Sequence, residues 1–139
     1  MILKNKQWYD AMMSLIHICN GNQLTVPQLA KFKLARMHDK LEPIFMALEK
    51  QRVALVMQYG SEKFADPDTK QKSLGWNIDK SDVGHQAFVD GWEAILNQEQ
   101  EVKITPITTV MLGDDAKGLE VMDYKMLGPL VVDPTEEKE

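Results

Sequence analysis

The chain has 139 residues, of which 44% are hydrophobic and 27% are charged, and its net charge is −5 at pH 7. This balance is typical of a globular domain with a substantial core, and it excludes the low hydrophobicity of disordered chains. No apolar run approaches the roughly 20 residues that a membrane-spanning helix needs. A single cysteine, Cys19, excludes an intramolecular disulfide and a multi-cysteine zinc site. We expect no membrane association and, because the first residues lack a signal-peptide pattern, a cytoplasmic location.

Charge is unevenly distributed along the chain. Residues 1–63 contain nine Lys or Arg and five Asp or Glu, whereas residues 64–139 contain seven and sixteen. A solvated surface that ends in an acidic tail is the simpler interpretation. The alternative is that the basic half binds an acidic partner, or that copies dock head to tail, because complementary potentials orient the encounter.

The first predicted helix covers residues 3–19. Its apolar side chains recur every three or four positions, which places them on one stripe of a helix: Trp8, Met12, Leu15, Ile16 and Cys19. Cys19 is therefore predicted to be a small, inert core residue. Asn20-Gly21-Asn22 ends this helix, because Asn and Gly tolerate the left-handed conformation.

A long second helix is predicted from about Val26 to Tyr59. The segment Thr25-Val26-Pro27-Gln28 contains the residues of a capping box, with proline in the first turn. A buried seam follows at steps of three and four: Leu34, Met37, Leu41, Ile44, Leu48 and Leu55. Pro43 lacks an N–H and clashes with the preceding turn, so we expect either one bent helix or two helices that meet there.

Residues 60–80 are predicted to form a surface connection, because Gly60, Gly75 and the run 66–70 supply turn-forming residues. Four apolar side chains in this connection are expected to pack back against the helices: Phe64, Leu74, Trp76 and Ile78. A third helix is predicted to begin at Ser81-Asp82, with Val83, Ala87, Phe88, Trp92, Ile95 and Leu96 on its apolar side.

After Asn97 the apolar pattern becomes that of a strand. Residues 102–112 are predicted to pair with 119–121 as a short hairpin, and Asp123 is predicted to cap a last helical turn. The sequence thus predicts an α+β fold that is predominantly α. We expect a helical hairpin or small bundle with a kinked long second helix and a short C-terminal β-hairpin. Residues 1–132 are predicted to form a single globular domain, and residues 133–139 a frayed acidic tail.

The sequence has no motif that carries an enzyme mechanism: no phosphate-binding loop, dinucleotide fingerprint, nucleophile elbow or His-Glu-x-x-His. Three histidines lie in three separate predicted elements: His17, His38 and His85. We therefore predict that the protein is not an enzyme and has no catalytic, cofactor-binding or metal-binding residues and no cofactor. An enzyme would instead need a pocket that combines a buried carboxylate with one of the histidines.

Two acidic pairs are candidates for a cation site, and neither is predicted to be one. Asp66 and Asp68 begin like a calcium loop, but Gln71 stands where glycine is needed and Asn77 where a bidentate carboxylate is needed. The pair at 114–115 is explained more simply as a turn in which aspartate side chains accept from their own backbone.

A basic helix face is predicted near the start of the second helix, where Lys33, Arg36 and Lys40 follow at steps of three and four beside Lys31. Such a face could contact phosphates. The sequence pI of about 5.2 and the absence of an aromatic and basic platform argue against a nucleic-acid partner. A solvated helix face is the preferred interpretation.

Nine methionines and three tryptophans exceed what a core of this size needs. Methionine adapts to irregular contacts, and methionine and aromatic residues are enriched at the centres of interfaces. Most of these residues are predicted to lie in the core, and the remainder in a contact surface.

Three segments carry a resemblance to a known family: Leu3-Lys4-Asn5-Lys6 before an amphipathic helix, Ala30-Lys31-Phe32-Lys33-Leu34-Ala35-Arg36, and Leu127-Gly128-Pro129-Leu130 near the end. In this pattern the chain resembles small uncharacterised proteins encoded by tailed bacteriophages. The resemblance implies a virion component or assembly factor, since such proteins are often encoded among late structural genes, and it assigns no functional residue.

The functional prediction is therefore a non-enzymatic bacteriophage structural or virion-assembly protein that acts through protein–protein contacts. The alternative is a small intracellular inhibitor or adaptor that binds a host protein. Viral or host proteins are the expected partners, and a homo-oligomer is left open. The expected location is the host cytoplasm, with incorporation into the virion left open.

Overall fold

A computed structural model describes residues 1–21, 23–66 and 68–135. Within these ranges 56% of the chain is helical and 19% is strand, which confirms the predicted α+β class with a predominance of helix. The chain divides into two compact units. The first unit is Met1–Phe45 with Glu99–Glu139, and the second unit is Met46–Gln98.

The elements follow one another along the chain as β1 (Ile2–Lys4), α1 (Asn5–Asn20), α2 (Gln28–Tyr59), β2 (Ser61–Asp66), β3 (Gln71–Asn77), α3 (His85–Leu96), β4 (Glu99–Glu101), β5 (Ile107–Thr108), α4 (Thr109–Leu112), α5 (Val121–Leu127), a 3₁₀ turn (Gly128–Leu130) and β6 (Val131–Val132). Helix α2 runs through both units, so a single domain over residues 1–132 stays a prediction. Of the predicted frayed tail, residues 136–139 lie outside the described residues.

Helix α1 buries most of the predicted stripe but not its last member. Trp8, Met12 and Leu15 are buried as expected, but Cys19 is exposed. The reason is that α1 packs against α5 through a face that includes Ser14. On a helix Cys19 lies about 100° from Ile18, so this packing turns the thiol outward. The prediction that Cys19 is a core residue is wrong.

Helix α2 contains the predicted seam. Leu34, Met37, Leu41 and Leu48 are buried, and the helix is continuous through Pro43, so the prediction of two helices that meet there is wrong. An interior proline costs about 3 kcal/mol, and a buried leucine contributes about 1.5–3 kcal/mol. The buried leucines on either side of the proline offset its cost, while the predicted kink stays a prediction.

The predicted surface connection at 60–80 is a β-hairpin. Strands β2 and β3 pair antiparallel from Ser61 opposite Asn77 to Asp66 opposite Gln71. The carboxylate of Asp66 accepts hydrogen bonds from the backbone N–H groups of residues 68 and 69. The turn chemistry of the sequence therefore belongs to the hairpin turn. Leu74 and Trp76 are exposed, so the prediction that they pack back against helices is wrong.

The predicted C-terminal hairpin is also wrong. Strand β4 pairs antiparallel with β1, and β5 pairs in parallel with β6, while residues 109–112 are helical. Each strand thus finds a partner remote in sequence, which local patterns do not reveal. The predicted last helical turn is present as α5, but its N-cap is Glu120, and Asp123 lies three residues further on.

The two units differ in how much apolar surface they bury. The first unit contains one cluster of buried residues: Trp8, Ala11, Met12, Leu15, Ile18, Val26, Ala30, Leu34, Met37, Leu41, Ile107, Leu112, Leu127 and Leu130. Trp8 is fully satisfied there, because its Nε1 donates to the carbonyl of Gln100 at 2.9 Å. In the described part of the second unit, only Leu48 and Val56 are buried apolar residues.

Candidate functional site

The three histidines singled out in the sequence stay apart. His17 lies in α1, His38 in α2 and His85 at the start of α3. Nδ1 of His38 is 3.5 Å from Oε2 of Glu42, one turn along the same helix. Among the described residues no group of three or more His, Cys, Asp or Glu side chains is arranged to hold a metal ion.

A buried carboxylate joins α1 to α5. Asp123 is 4% exposed, and its Oδ1 accepts a hydrogen bond from Oγ of Ser14 at 2.9 Å and lies 3.1 Å from Nδ1 of His17. Its Oδ2 accepts from the backbone N–H of Glu120 at 3.0 Å. Three donors thus compensate the burial of one carboxylate, as a buried charge requires.

His17 also lines a cavity of about 320 Å³, together with Gln23, Leu24, Gly118 and Glu120. A buried carboxylate beside a histidine is the arrangement that an enzyme would need. The residue types of a hydrolytic triad are present, but their connections differ, since Ser14 donates to Asp123 and not to His17. A nucleophile must contact its base and reach the substrate, whereas Ser14 is 1% exposed. The contacts of Asp123 with Ser14 and His17 join α5 to α1.

A second polar cluster fastens the hairpin to the segment before α3. Nζ of Lys63 lies 2.8 Å from Oδ2 of Asp82 and 3.4 Å from Oδ2 of Asp79. The hydrogen bond from Lys63 lowers the pKa of Asp82, and the bond to Asp82 raises the pKa of Lys63. Hydrogen bonds from Ser81 lower the pKa of Asp79. Lys63, Asp79 and Asp82 are therefore charged at neutral pH.

The predicted basic face is one wall of a cleft in the first unit, here called the basic cleft. It has a volume of about 210 Å³ and is lined by Lys33, Arg36, Met37, Lys40, Ile104 and Thr105. The guanidinium of Arg36 lies 4.9 Å from the ring centre of Phe32, and Nζ of Lys40 donates to the carbonyl of Lys103. These contacts hold two of the three cations at the cleft.

A third surface is an apolar strip on the second half of α2, here called the Met46 face. Met46, Val53 and Met57 are 61%, 48% and 48% exposed, and their spacing of seven and four places them on one side of the helix. A shallow groove along this side is lined by Met46, Val53, Ala47, Glu49 and Lys50. The strip is apolar at its centre and charged at its edge.

Sequence reasoning missed the role of Asp123, which was read only as a helix cap. A signal for it exists, because Ser14 interrupts the apolar stripe of α1 and a buried hydroxyl needs a partner. It also missed that Ile104 and Thr105 complete the basic cleft. No local pattern contains that information, since these residues are more than 60 positions away from α2's basic face.

In the described ranges no helix is both long and apolar enough to cross a membrane. The chain matches no family model, no curated protein and no solved structure.

Proposed function

We propose that this protein is a non-enzymatic structural or assembly protein of a bacteriophage and that it acts by binding another protein through the Met46 face. The observation that carries the proposal is the poor burial of the second unit. Its described part buries two apolar side chains and leaves six large ones exposed: Met46, Val53, Met57, Leu74, Trp76 and Val83.

The Met46 face has the composition of a binding surface. Methionine is enriched at the centres of interfaces and adapts to the shape of a partner. Full burial of each such side chain contributes about 1.5–3 kcal/mol, while association costs about 4–15 kcal/mol. Polar contacts at the edge of the groove can add to this, and Lys50 lies there, whereas the carboxylate of Glu49 is held by Arg52 in a bidentate ion pair.

The phage part of the proposal rests on the resemblance of residues 3–6, 30–36 and 127–130 to small phage proteins. The alternative function, a small inhibitor or adaptor that binds a host protein, uses the same surface. Mass spectrometry separates the two. A structural protein is present in purified particles at a defined copy number, whereas an inhibitor is missing from them and retains a host protein in a pull-down.

The role of the Met46 face is tested with the double variant Met46→Asp, Val53→Asp. Because both side chains are already exposed, the free energy of unfolding should change by no more than about 1 kcal/mol. The copy number in particles, or the amount of retained host protein, should fall at least about tenfold, since charges would be desolvated in the interface.

The matched control is Leu29→Asp, which lies on the same helix, is 58% exposed and belongs to the first unit. It should bind like the unmodified protein. If the double variant is incorporated into particles, or retains the host protein, at the level of the unmodified protein, the proposed role of the Met46 face is wrong.

A further inference from the structure

The basic cleft carries the positive charges of Lys33, Arg36 and Lys40. Within the described residues, no carboxylate forms an ion pair with Lys33, Arg36 or Lys40. The floor between these cations is apolar, because Met37 is buried and Ile104 is half-buried. An apolar floor lowers the local dielectric and strengthens the attraction for an anionic group.

We propose that the basic cleft binds the acidic segment 133–139 of a second copy of this chain, so that copies associate head to tail. This segment has four acidic residues and one lysine, a net charge of −3 that matches the three cations of the cleft. Complementary charge of this kind orients an encounter and fixes its register.

The start of the segment is held in a charged form. Oδ1 of Asp133 accepts hydrogen bonds from the backbone N–H of Thr135 at 2.8 Å and from its hydroxyl at 2.6 Å. These bonds lower the pKa of Asp133. The carboxylate therefore stays ionised at neutral pH and is available to a cation.

The end of β6 lies beside the end of β5 that is farther from the cleft. Strand β6 is parallel to β5, with Val132 opposite Thr108, whereas Ile104 and Thr105 of the cleft precede β5. Residues 134 and 135 then form a turn. The oligomeric state distinguishes binding to a second copy from binding within one copy.

Each copy then offers one cleft and one segment. A contact of this kind is heterologous, so it generates a ring if the rotation closes and an open filament if it does not. The inference goes beyond the proposed function, because it concerns the first unit and a different surface. It can be tested independently of the role of the Met46 face.

The experiment is a charge swap followed by sedimentation equilibrium. The cleft variant is Lys33→Glu, Arg36→Glu, Lys40→Glu, and the segment variant is Glu136→Lys, Glu137→Lys, Glu139→Lys. The unmodified protein should associate at low salt, and the association should weaken about tenfold or more when salt screens the charges. Each variant alone should be monomeric. An equimolar mixture should associate again, because acidic clefts then meet basic segments.

The matched control is Lys31→Glu, Lys72→Glu, Lys125→Glu, which makes the same change of charge away from the cleft. Lys31 lies about 200° around α2 from Lys33, so association should persist in this control. Circular dichroism checks that every variant is folded.

Three outcomes overturn the inference. The first is a wild-type protein that is monomeric at low salt over the whole concentration range. The second is association that persists in both charge variants. The third is a folded mixture that fails to associate, which would show that the segment does not bind the cleft.

Discussion

In the first unit, side chains from α1, from residues 30–41 of α2 and from residues 107–130 enclose Trp8, Leu15 and Leu130 almost completely, whereas α3 of the second unit contains no buried residue. The described part of the second unit buries only Leu48 and Val56 among its apolar residues, and its hairpin is held by backbone hydrogen bonds and by the ion pairs of Lys63 with Asp79 and Asp82, here called the Lys63 cluster. A two-stranded hairpin is marginal on its own in water. The contrast indicates that the first unit has a more complete apolar core than the described part of the second unit.

The largest effect is expected from a charge in the seam of α2. Leu41→Asp places a carboxylate in the core of the first unit, and we expect the whole chain to unfold, because an unpaired buried charge costs several kcal/mol. Leu48→Asp should disrupt α3 and the hairpin at a denaturant concentration where α1 is still folded.

Chemical denaturation followed by residue-resolved NMR measures both variants, and Phe32→Asp, an exposed position on the same helix, is the control. If Leu48→Asp melts α1 and the hairpin together, the two units form one cooperative domain, as the sequence predicted for residues 1–132.

A smaller effect is expected at the hydrogen bonds of Asp123 that join α1 to α5. Asp123→Asn keeps the shape but puts an amide N–H₂ among the donors Ser14, His17 and the backbone of Glu120. Leaving buried donors unsatisfied costs about 1–3 kcal/mol each, so we expect a loss of about 2–4 kcal/mol in the free energy of unfolding. Denaturant melts measure it, and the exposed Asp115→Asn should melt like the parent.

The smallest effect is the pH dependence of the second unit. Because the pKa values of Asp79 and Asp82 are lowered from 3.8 in the folded state, their contribution is present above 3.8 and is lost as pH falls through the folded pKa. The pKa of Lys63 is raised from 10.5, so its contribution is lost only as pH rises through the folded value.

Amide signals of the 61–77 hairpin, followed by NMR on acidification, should report this loss. In Asp82→Asn the change should be smaller, since one of the titrating groups is gone. An identical acid profile in the variant and the parent would show that the Lys63 cluster does not stabilise the hairpin.

The helices could be predicted from the sequence because the apolar periodicity that indicates a helix is a local pattern. The recurrence of Leu34, Met37 and Leu41 identifies the seam of α2, and the end of this helix at Tyr59 was predicted to the residue. Cys19 was assigned to the wrong face, since spacings of three and four fit more than one stripe of α1. Only the position of α5 selects between them.

The strand pairing and the sites could not be predicted from local patterns. The pairs β1 with β4 and β5 with β6 join residues that are far apart in sequence, and the hairpin at 61–77 was hidden because its turn residues resemble those of a loop. The prediction of no catalytic or metal-binding residue, and of a protein partner, stays a prediction.

Composition and periodicity thus determined by themselves that this chain is mainly helical, where its long helices lie and that its charge is polarised. Tertiary structure alone decided which helix faces are buried, that Asp123 is the acceptor between two helices, and that Ile104 and Thr105 complete the basic cleft. The physical reason is that helical hydrogen bonds and amphipathic stripes span four residues, whereas burial and strand pairing depend on chain segments that meet only after folding.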